Sequence, residues 1–295
     1  MITSRSAANV EDLLAAGAVL SGAWLAGAPH VCTHPGDLEW WHASAAPDEI
    51  SSHLRLWDRD GTTVAWSWVG ADEVEWDGLR GELAADRAVA EAVLRAADEE
   101  TPGSLEAWAA EDDTETRSTL EQLGYRRGSL RLSQWQLAID GGADEPAVRV
   151  PDGYRIRSLS GAAEIDARVE VHRAAFAPSK LTPEKYRRLV TMPHYRFEDD
   201  LVVEAPDGSL AAFAMAWWDP VARIGEFEPV GTHPDHQRRG LGRALLSTGL
   251  RRYREKGARL VQVFSRAENA ASEALYEAAG FRRARFHLQF ERPAR

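Results

Sequence analysis

Apolar residues recur at Leu241, Leu245, Leu246, Leu250 and Tyr253, a spacing that places them on one face of a helix stopped by Gly257. Residues 212–217 and 223–232 read as strands, 260–264 as a short apolar strand, and 269–279 as a last helix closed by Gly280. Thr182-Pro183-Glu184 marks another helix start, a capping hydroxyl followed by proline in the first turn. The second half therefore reads as strand, two helices, two hairpin strands, a third strand, helix, strand, helix and final strands.

The first half repeats this order. Residues 54–60 followed by 61–68 resemble 201–207 followed by 208–215, each as strand, Asp-Gly turn and strand. Leu120-Glu-Gln-Leu-Gly-Tyr-Arg-Arg127 resembles Tyr276-Glu-Ala-Ala-Gly-Phe-Arg-Arg283, each a helix ending at glycine before an aromatic-led strand. Gly141-Gly142-Ala143-Asp144-Glu145-Pro146 reads as a linker, and the second unit restarts at Tyr154-Arg-Ile-Arg157. The expected units are 1–140 and 153–295, joined by 141–152. Gly61 to Gly124 spans 63 positions and Gly208 to Gly280 spans 72, so the second copy is longer by nine. Much of the excess falls between its central strand and its long helix.

Charge separates the halves further. The 295 residues carry 46 acidic and 35 basic side chains, a net charge of −11. Residues 1–150 hold 27 acidic and 11 basic groups, and residues 151–295 hold 19 and 24. An acidic chain with so acidic a first half is a poor nucleic-acid binder. Cys32, the one cysteine, excludes an internal disulfide framework and any multi-cysteine metal site. No charged residue falls between Leu13 and Gly36, which raises an export leader or membrane span. Glu11 and Asp12 stand where a basic flank belongs, and four glycines, Ser21 and Pro29 dilute the run. A buried helix pair in a cytoplasmic protein is the expectation.

Chemistry concentrates at Glu226-Phe-Glu-Pro-Val-Gly-Thr-His-Pro-Asp-His-Gln-Arg-Arg-Gly-Leu-Gly-Arg243. A strand enters a loop with Gly240 and Gly242, and a helix opens at once. Free N–H groups at a helix start, with the positive end of its dipole, make an anion site, and Arg238, Arg239 and Arg243 add charge. The dinucleotide fingerprint needs a glycine where Leu245 stands, and the Walker loop needs Gly-Lys-Ser/Thr. Gln237-Arg238-Arg239-Gly240-Leu241-Gly242 resembles the Gln/Arg-x-x-Gly-x-Gly/Ala motif of the GNAT superfamily of N-acetyltransferases. Asn269-Ala-Ala-Ser272 and 274–281 follow at the family's distance. The resemblance covers 153–295, and in 1–140 it extends to the hairpin and the final helix.

The resemblance implies two tandem α/β (α+β) units, each a twisted, mostly antiparallel sheet flanked by helices. It implies acetyl-CoA as cosubstrate and no metal. Backbone groups of Val230, Gly231 and Thr232 would pair with the acetyl carbonyl and pantetheine arm, and N–H groups from Gln237 through Arg243 would hold the pyrophosphate. Asn269 would bind the pantetheine arm, and Tyr276 would be the general acid. An alkylammonium with pKa near about 10 must lose a proton before it attacks. Glu226 and Glu228 lie two apart on the strand and are the candidate bases, Glu226 first because some family members carry a base there; the plainer reading is edge carboxylates. His233 and His236 read as solvated loop histidines rather than metal ligands, for want of a third ligand nearby.

The first unit lacks the arginine-rich turn. At the equivalent place stands Trp76-Asp77-Gly78-Leu79-Arg80-Gly81-Glu82, and Leu120 replaces Tyr276. It reads as a degenerate unit that binds no CoA, either a wall of the acceptor site or a structural cover. Its tryptophans, at strand spacing, read as core, and one of Trp217 and Trp218 as cleft lining. The resulting expectation is an acetyl-CoA-dependent N-acetyltransferase acting by direct attack from a primary amine of a small cationic molecule. It would work as monomer or homodimer, without membrane or nucleic-acid partners. The layout also resembles mycothiol synthase, which acetylates a small aminosugar–thiol precursor. A non-catalytic acetyl-CoA sensor is the alternative of another class.

Overall fold

The computed structural model describes residues 2–28, 30–45, 53–68, 80–81, 92, 95, 96, 99, 103–139 and 150–294. Apart from Arg80 and Gly81, the first half's counterpart of the arginine loop lies outside the described residues, as does most of the expected linker. The chain opens with β1 (Ile2–Ser6), α1 (Val10–Ala26) and α2 (Pro35–Ser44). Asn9 starts α1 by accepting from the N–H groups of Glu11 and Asp12, at 2.9 and 3.2 Å, and Gly27 ends it at φ 66°. Leu13, Ala16, Leu20 and Trp24 form its buried face. The uncharged run is thus a helix pair within the core, and no helix among the described residues is long and apolar enough to cross a membrane. The hairpin of β2 (Leu54–Arg59) and β3 (Thr62–Trp68) turns at Asp60 and Gly61, both at positive φ. After β4 (Arg80–Gly81) come β5 (Leu105–Ala110), α3 (Thr114–Gln122) and β6 (Arg126–Ala138).

The second half supplies β7 (Arg155–Ser158), α4 (Ile165–Ala175), α5 (Pro183–Leu189), β8 (Asp200–Glu204), β9 (Leu210–Asp219) and β10 (Ile224–Thr232). Then follow α6 (Leu241–Glu255), β11 (Leu260–Arg266), α7 (Ala270–Ala278) and β12 (Arg282–Arg292). Thr182 accepts from the N–H of Lys185 at the start of α5, and Gly257 and Gly280 follow α6 and α7 at φ 77° and 94°. The repeat is visible in three dimensions. Asp113 caps α3 as Asn269 caps α7.

The sheets run β1-β2-β3-β4 and β5-β12-β6-β11-β10-β9-β8-β7. Among the described residues only β10 and β11 pair in parallel. In the second sheet β6, from the first half, lies between β11 and β12, and β12 in turn lies between β6 and β5. Since β5 and β6 are the repeats of β11 and β12, each half pairs its next-to-last strand with the other half's last strand. The exchange makes one continuous hydrogen-bonded surface across residues 126–138.

Packing joins the halves on a second face. Leu13, Leu20, Leu38 and Trp66 share one apolar core with Val169, Tyr186, Phe213 and Trp217. Trp57, Trp66 and Trp68 are buried, as core rather than ligand platform, while Trp76 lies outside the described residues. Polar ties rim this contact. Glu39 meets His194 at 2.6 Å, and Arg188 donates to the carbonyls of Ala43 and Ala45 at 2.8 and 2.6 Å. Behind it Arg168 and Asp200, both fully buried, pair at 2.9 Å, with the Tyr186 and Tyr195 hydroxyls also donating to Asp200. A buried ion pair closed by two extra donors is the form in which such pairs persist.

Candidate active site

The site forms where β10 leaves β11. The parallel pairing runs from Ile224–Leu260 to Phe227–Val263 and ends there, while β9 accompanies β10 through Thr232. Between Phe227 and Val230 the register against β9 shifts by one residue, a bulge at Glu228-Pro229 that bends β10 away. Val230, Gly231 and Thr232 thus keep β9 on one side and present the other side of their backbone to the gap. Gly231 is required: a Cβ there would stand 2.5 Å from the Phe213 ring and 2.9 Å from Ala175.

The loop beyond leads into a helix start that no side chain caps. His233–Gln237 make a short turn in which His233 accepts from the N–H of Asp235 at 3.2 Å and the His236 ring meets the Tyr154 hydroxyl at 2.9 Å. Arg238 and Gly240 then take left-handed backbone, φ 58° and 77°, and α6 begins. Its first internal bond runs from Ala244 N–H to Gly240 C=O, so the N–H groups of Leu241, Gly242 and Arg243 have no intrahelical acceptor. No side chain caps this end and its first turn holds no acidic residue. Arg238, Arg239 and Arg243 are exposed around it. Gly242 faces α7, where a Cβ would lie 3.1 Å from Leu275 and 3.9 Å from the Thr232 hydroxyl. Gln237, whose amide reaches the Thr232 carbonyl at 3.5 Å, closes the turn.

Across the gap stands α7. The Asn269 side-chain oxygen accepts from Ser272 N–H at 3.2 Å, so Asn269 caps the helix and its amide N–H groups are the part left for a ligand. Tyr276 is buried between Trp135 of β6 and Phe281. Burial, then the Glu228 carboxylate, pushes its phenol above the ordinary range, so it keeps its proton at neutral pH.

Glu226 is 1% exposed and Glu228 half-buried. Burial raises the Glu226 pKa well above a usual glutamate, helped by the like charges of Asp37 and Glu228, against one stabilising bond from Gln262 Nε2 at 3.2 Å. The negative charge of Glu228 raises both Glu226 and Tyr276. β10 thus carries both base candidates and the open backbone edge, the uncapped start of α6 follows it, and the acid candidate Tyr276 stands on α7. Of the paired tryptophans, Trp217 is buried under Gly36 of α2, where a Cβ would be 2.4 Å from its ring, and donates to the Glu228 carbonyl at 2.8 Å. It is wall rather than open lining.

Asp37 and Gln262 carry no signal in the sequence. Asp37 reads as a capping residue after Pro35-Gly36, and it does accept from His34 N–H at 2.7 Å, but its approach to Glu226 depends on how α2 lands on the other half. Gln262 sits inside an apolar strand. Cys32 is fully buried, its Sγ 3.7 Å from His287 Nδ1.

Residues 169–281 match the model of the Acetyltransferase (GNAT) family. The chain is 33% identical to a mycothiol acetyltransferase of Beutenbergia cavernae, over 84% of this chain and 86% of that protein. It is 30% identical to one of Salinispora arenicola, over 83% of each. A tandem GNAT protein from the clavulanic acid biosynthesis pathway superposes with a TM-score of 0.70 at 18% identity, covering 100% of this chain and 99% of that one, which speaks for the fold.

Proposed function

Because the chain belongs to the acetyltransferase (GNAT) family, we propose that it moves an acetyl group from acetyl-CoA to a primary amine of a small cationic molecule by direct attack. One observation carries the reading: β10 parts from β11 after Phe227 while β9 follows it to Thr232, leaving a backbone edge at Val230, Gly231 and Thr232 ahead of the uncapped, acid-free start of α6. The residues suit the cosubstrate. The uncapped start of α6, with Arg238, Arg239 and Arg243, matches a pyrophosphate. The backbone of Val230, Gly231 and Thr232 matches an extended amide-bearing arm added as a strand, and the Asn269 amide completes that wall.

In this reading Glu226, its charge raised in cost by burial, takes the proton of the bound ammonium. The half-buried Glu228 is the second candidate, directly or through water. A backbone N–H of the β10 edge polarises the acetyl carbonyl, and Tyr276 gives its proton to the departing sulfur. Residues 1–140 act as a silent unit that walls the acceptor site, since Asp37 reaches Glu226 from α2. Their surplus of negative charge favours a cationic acceptor.

The relatives named mycothiol acetyltransferase favour a narrower acceptor, a small aminosugar–thiol of the kind mycothiol synthase acetylates. Chromatography of released CoA and acetylated product, over a panel of aminosugar–thiols, polyamines and neutral amines, tests both levels. Turnover on cationic amines is expected, fastest on the aminosugar–thiol. Tight CoA binding with no turnover on any amine would instead make the protein a sensor.

A further inference from the structure

Glu226 and Gln262 stand opposite each other in the parallel register of β10 and β11, so their side chains share one face of the sheet. Gln262 Nε2 donates to Glu226 Oε2 at 3.2 Å. The amide is held in that orientation from the first half. Its Nε2 also donates to the Cys32 carbonyl, which can only accept, and its Oε1 accepts from Gln134 Nε2 at 3.0 Å. Gln134 is fixed in turn. Its Oε1 meets His287 Nε2 at 3.2 Å, so His287 carries a proton there, and His287 Nδ1 lies 3.7 Å from the Cys32 thiol. The run begins and ends on Cys32. Turning the Gln262 amide over would set its oxygen against the Cys32 carbonyl and its donors against Gln134 Nε2, both repulsive at low dielectric. Cys32, Gln134, Glu226, Gln262 and His287 are each 2% exposed or less.

We propose that Gln262 is a positioning residue that holds the Glu226 carboxylate by its Oε2, and that the first half fixes Gln262 in this task through the Cys32 carbonyl and the Gln134 amide. The inference rests on the reading of Glu226 as base. A donated N–H favours the charged form of a carboxyl and fixes the direction in which its remaining lone pairs face. A neutral amide does this without the full positive charge of lysine or arginine, which would pull the carboxyl far down and spoil it as a base. The first half, which lacks the arginine loop, thereby gains a task at the reacting end that a plain cover would not have.

The groups that bear on Glu226 come from four elements. Burial raises it most, and the like charges of Asp37 from α2 and Glu228 from β10 act in the same direction. The bond from Gln262 of β11 opposes them. From α6, the Tyr253 hydroxyl donates to the Glu226 backbone carbonyl rather than its carboxyl. Removing the Gln262 donor therefore raises Glu226 further. A general base works in its deprotonated form, so activity rises with pH through the Glu226 pKa, and the acid limb moves up when that donor is lost.

Gln262→Met keeps the length of the side chain and removes its donor. With the fastest acceptor of the amine panel, kcat is expected to fall about tenfold while the KM for acetyl-CoA stays within about twofold. The acid limb of kcat/KM is expected to move to higher pH by about one unit. Gln134→Met, which spares the Gln262 donor but loosens its amide, is expected to move the limb the same way by less. An infrared titration of the carboxyl C=O band, assigned by its loss in Glu226→Gln, follows the same ionisation without turnover. A network that only satisfied buried polar atoms would lower the unfolding temperature and leave limb and band in place, and that result overturns the proposal. Should Gln262→Met not fold, Gln134→Met decides with the same two readouts. Wild-type turnover in Glu226→Gln would overturn the base assignment and with it the catalytic task of Gln262, whereas the band in Gln262→Met separately decides whether the two side chains are bonded.

Discussion

Tyr276 stands in an apolar setting of Trp135 and Phe281, with one carboxylate, Glu228, acting on it. Both influences favour the neutral phenol, the form that can donate to a leaving thiolate. Tyr276→Phe keeps the ring and its packing while removing the proton. Turnover is expected to fall by about 10²-fold, in the range of a lost general acid, while the dissociation constant for CoA, read by calorimetry, stays within about twofold. Unchanged turnover would remove Tyr276 as acid. Because the phenol is raised, no basic limb from Tyr276 is expected below about pH 10, its ordinary value. The glutamates were readable as a pair from period two along the strand, but not their inequality. Glu226 lies against Asp37 and Gln262, and Glu228 sits at a bulge that no local pattern announces.

At the scale of elements, the start of α6 is the clearest case of sequence writing structure. Gly240 at positive φ, a first turn without acid or cap, and three arginines follow from Gln237-Arg238-Arg239-Gly240-Leu241-Gly242 with little help from the rest of the chain. Gly242→Glu places a carboxylate at the three free N–H groups. The nearest obstacle to its Cβ is the flexible end of Leu275 at 3.1 Å, so the fold is expected to survive. Affinity for CoA is expected to drop by about 100-fold or more through like-charge repulsion at low dielectric, as measured by calorimetry. Retained affinity would sink the assignment of this loop. Asn269 is plainer than its motif suggests, since its oxygen is committed to the helix, as Asp113's is in the first half. A cap and a ligand donor have the same residue preference, so sequence cannot separate them.

For the whole molecule, the exchanged strands decide how far the halves are independent. Residues 150–295 alone would lack β6 and leave facing edges of β11 and β12 unpaired, along with the face that α1 and α2 cover. Unpaired edges template aggregation. The isolated second half is expected to be insoluble or non-cooperative in thermal unfolding, and co-expression with residues 1–149 is expected to restore a soluble complex that binds CoA. A cooperatively folding, CoA-binding 150–295 fragment would show that the exchange is dispensable. This also gives the charge asymmetry a physical place, since the negative charge of Asp37, in the acidic half, raises Glu226 in the basic one.

Sequence alone determined what depends on neighbours along the chain: helix faces and caps, hairpin turns, the glycine stops, the repeat and the anion loop. These follow from backbone geometry and short-range hydrogen bonds, which residue types encode directly. Tertiary structure decided what depends on residues far apart in the chain. Strand exchange at 126–138 and 282–292, the landing of α2 on Trp217, and the like charge that Asp37 brings to Glu226 arise from matching surfaces, 189 positions apart in the last case. A carboxylate's surroundings bias its protonation, and for Glu226 burial weighs most, followed by the like charge of Asp37 from the other half.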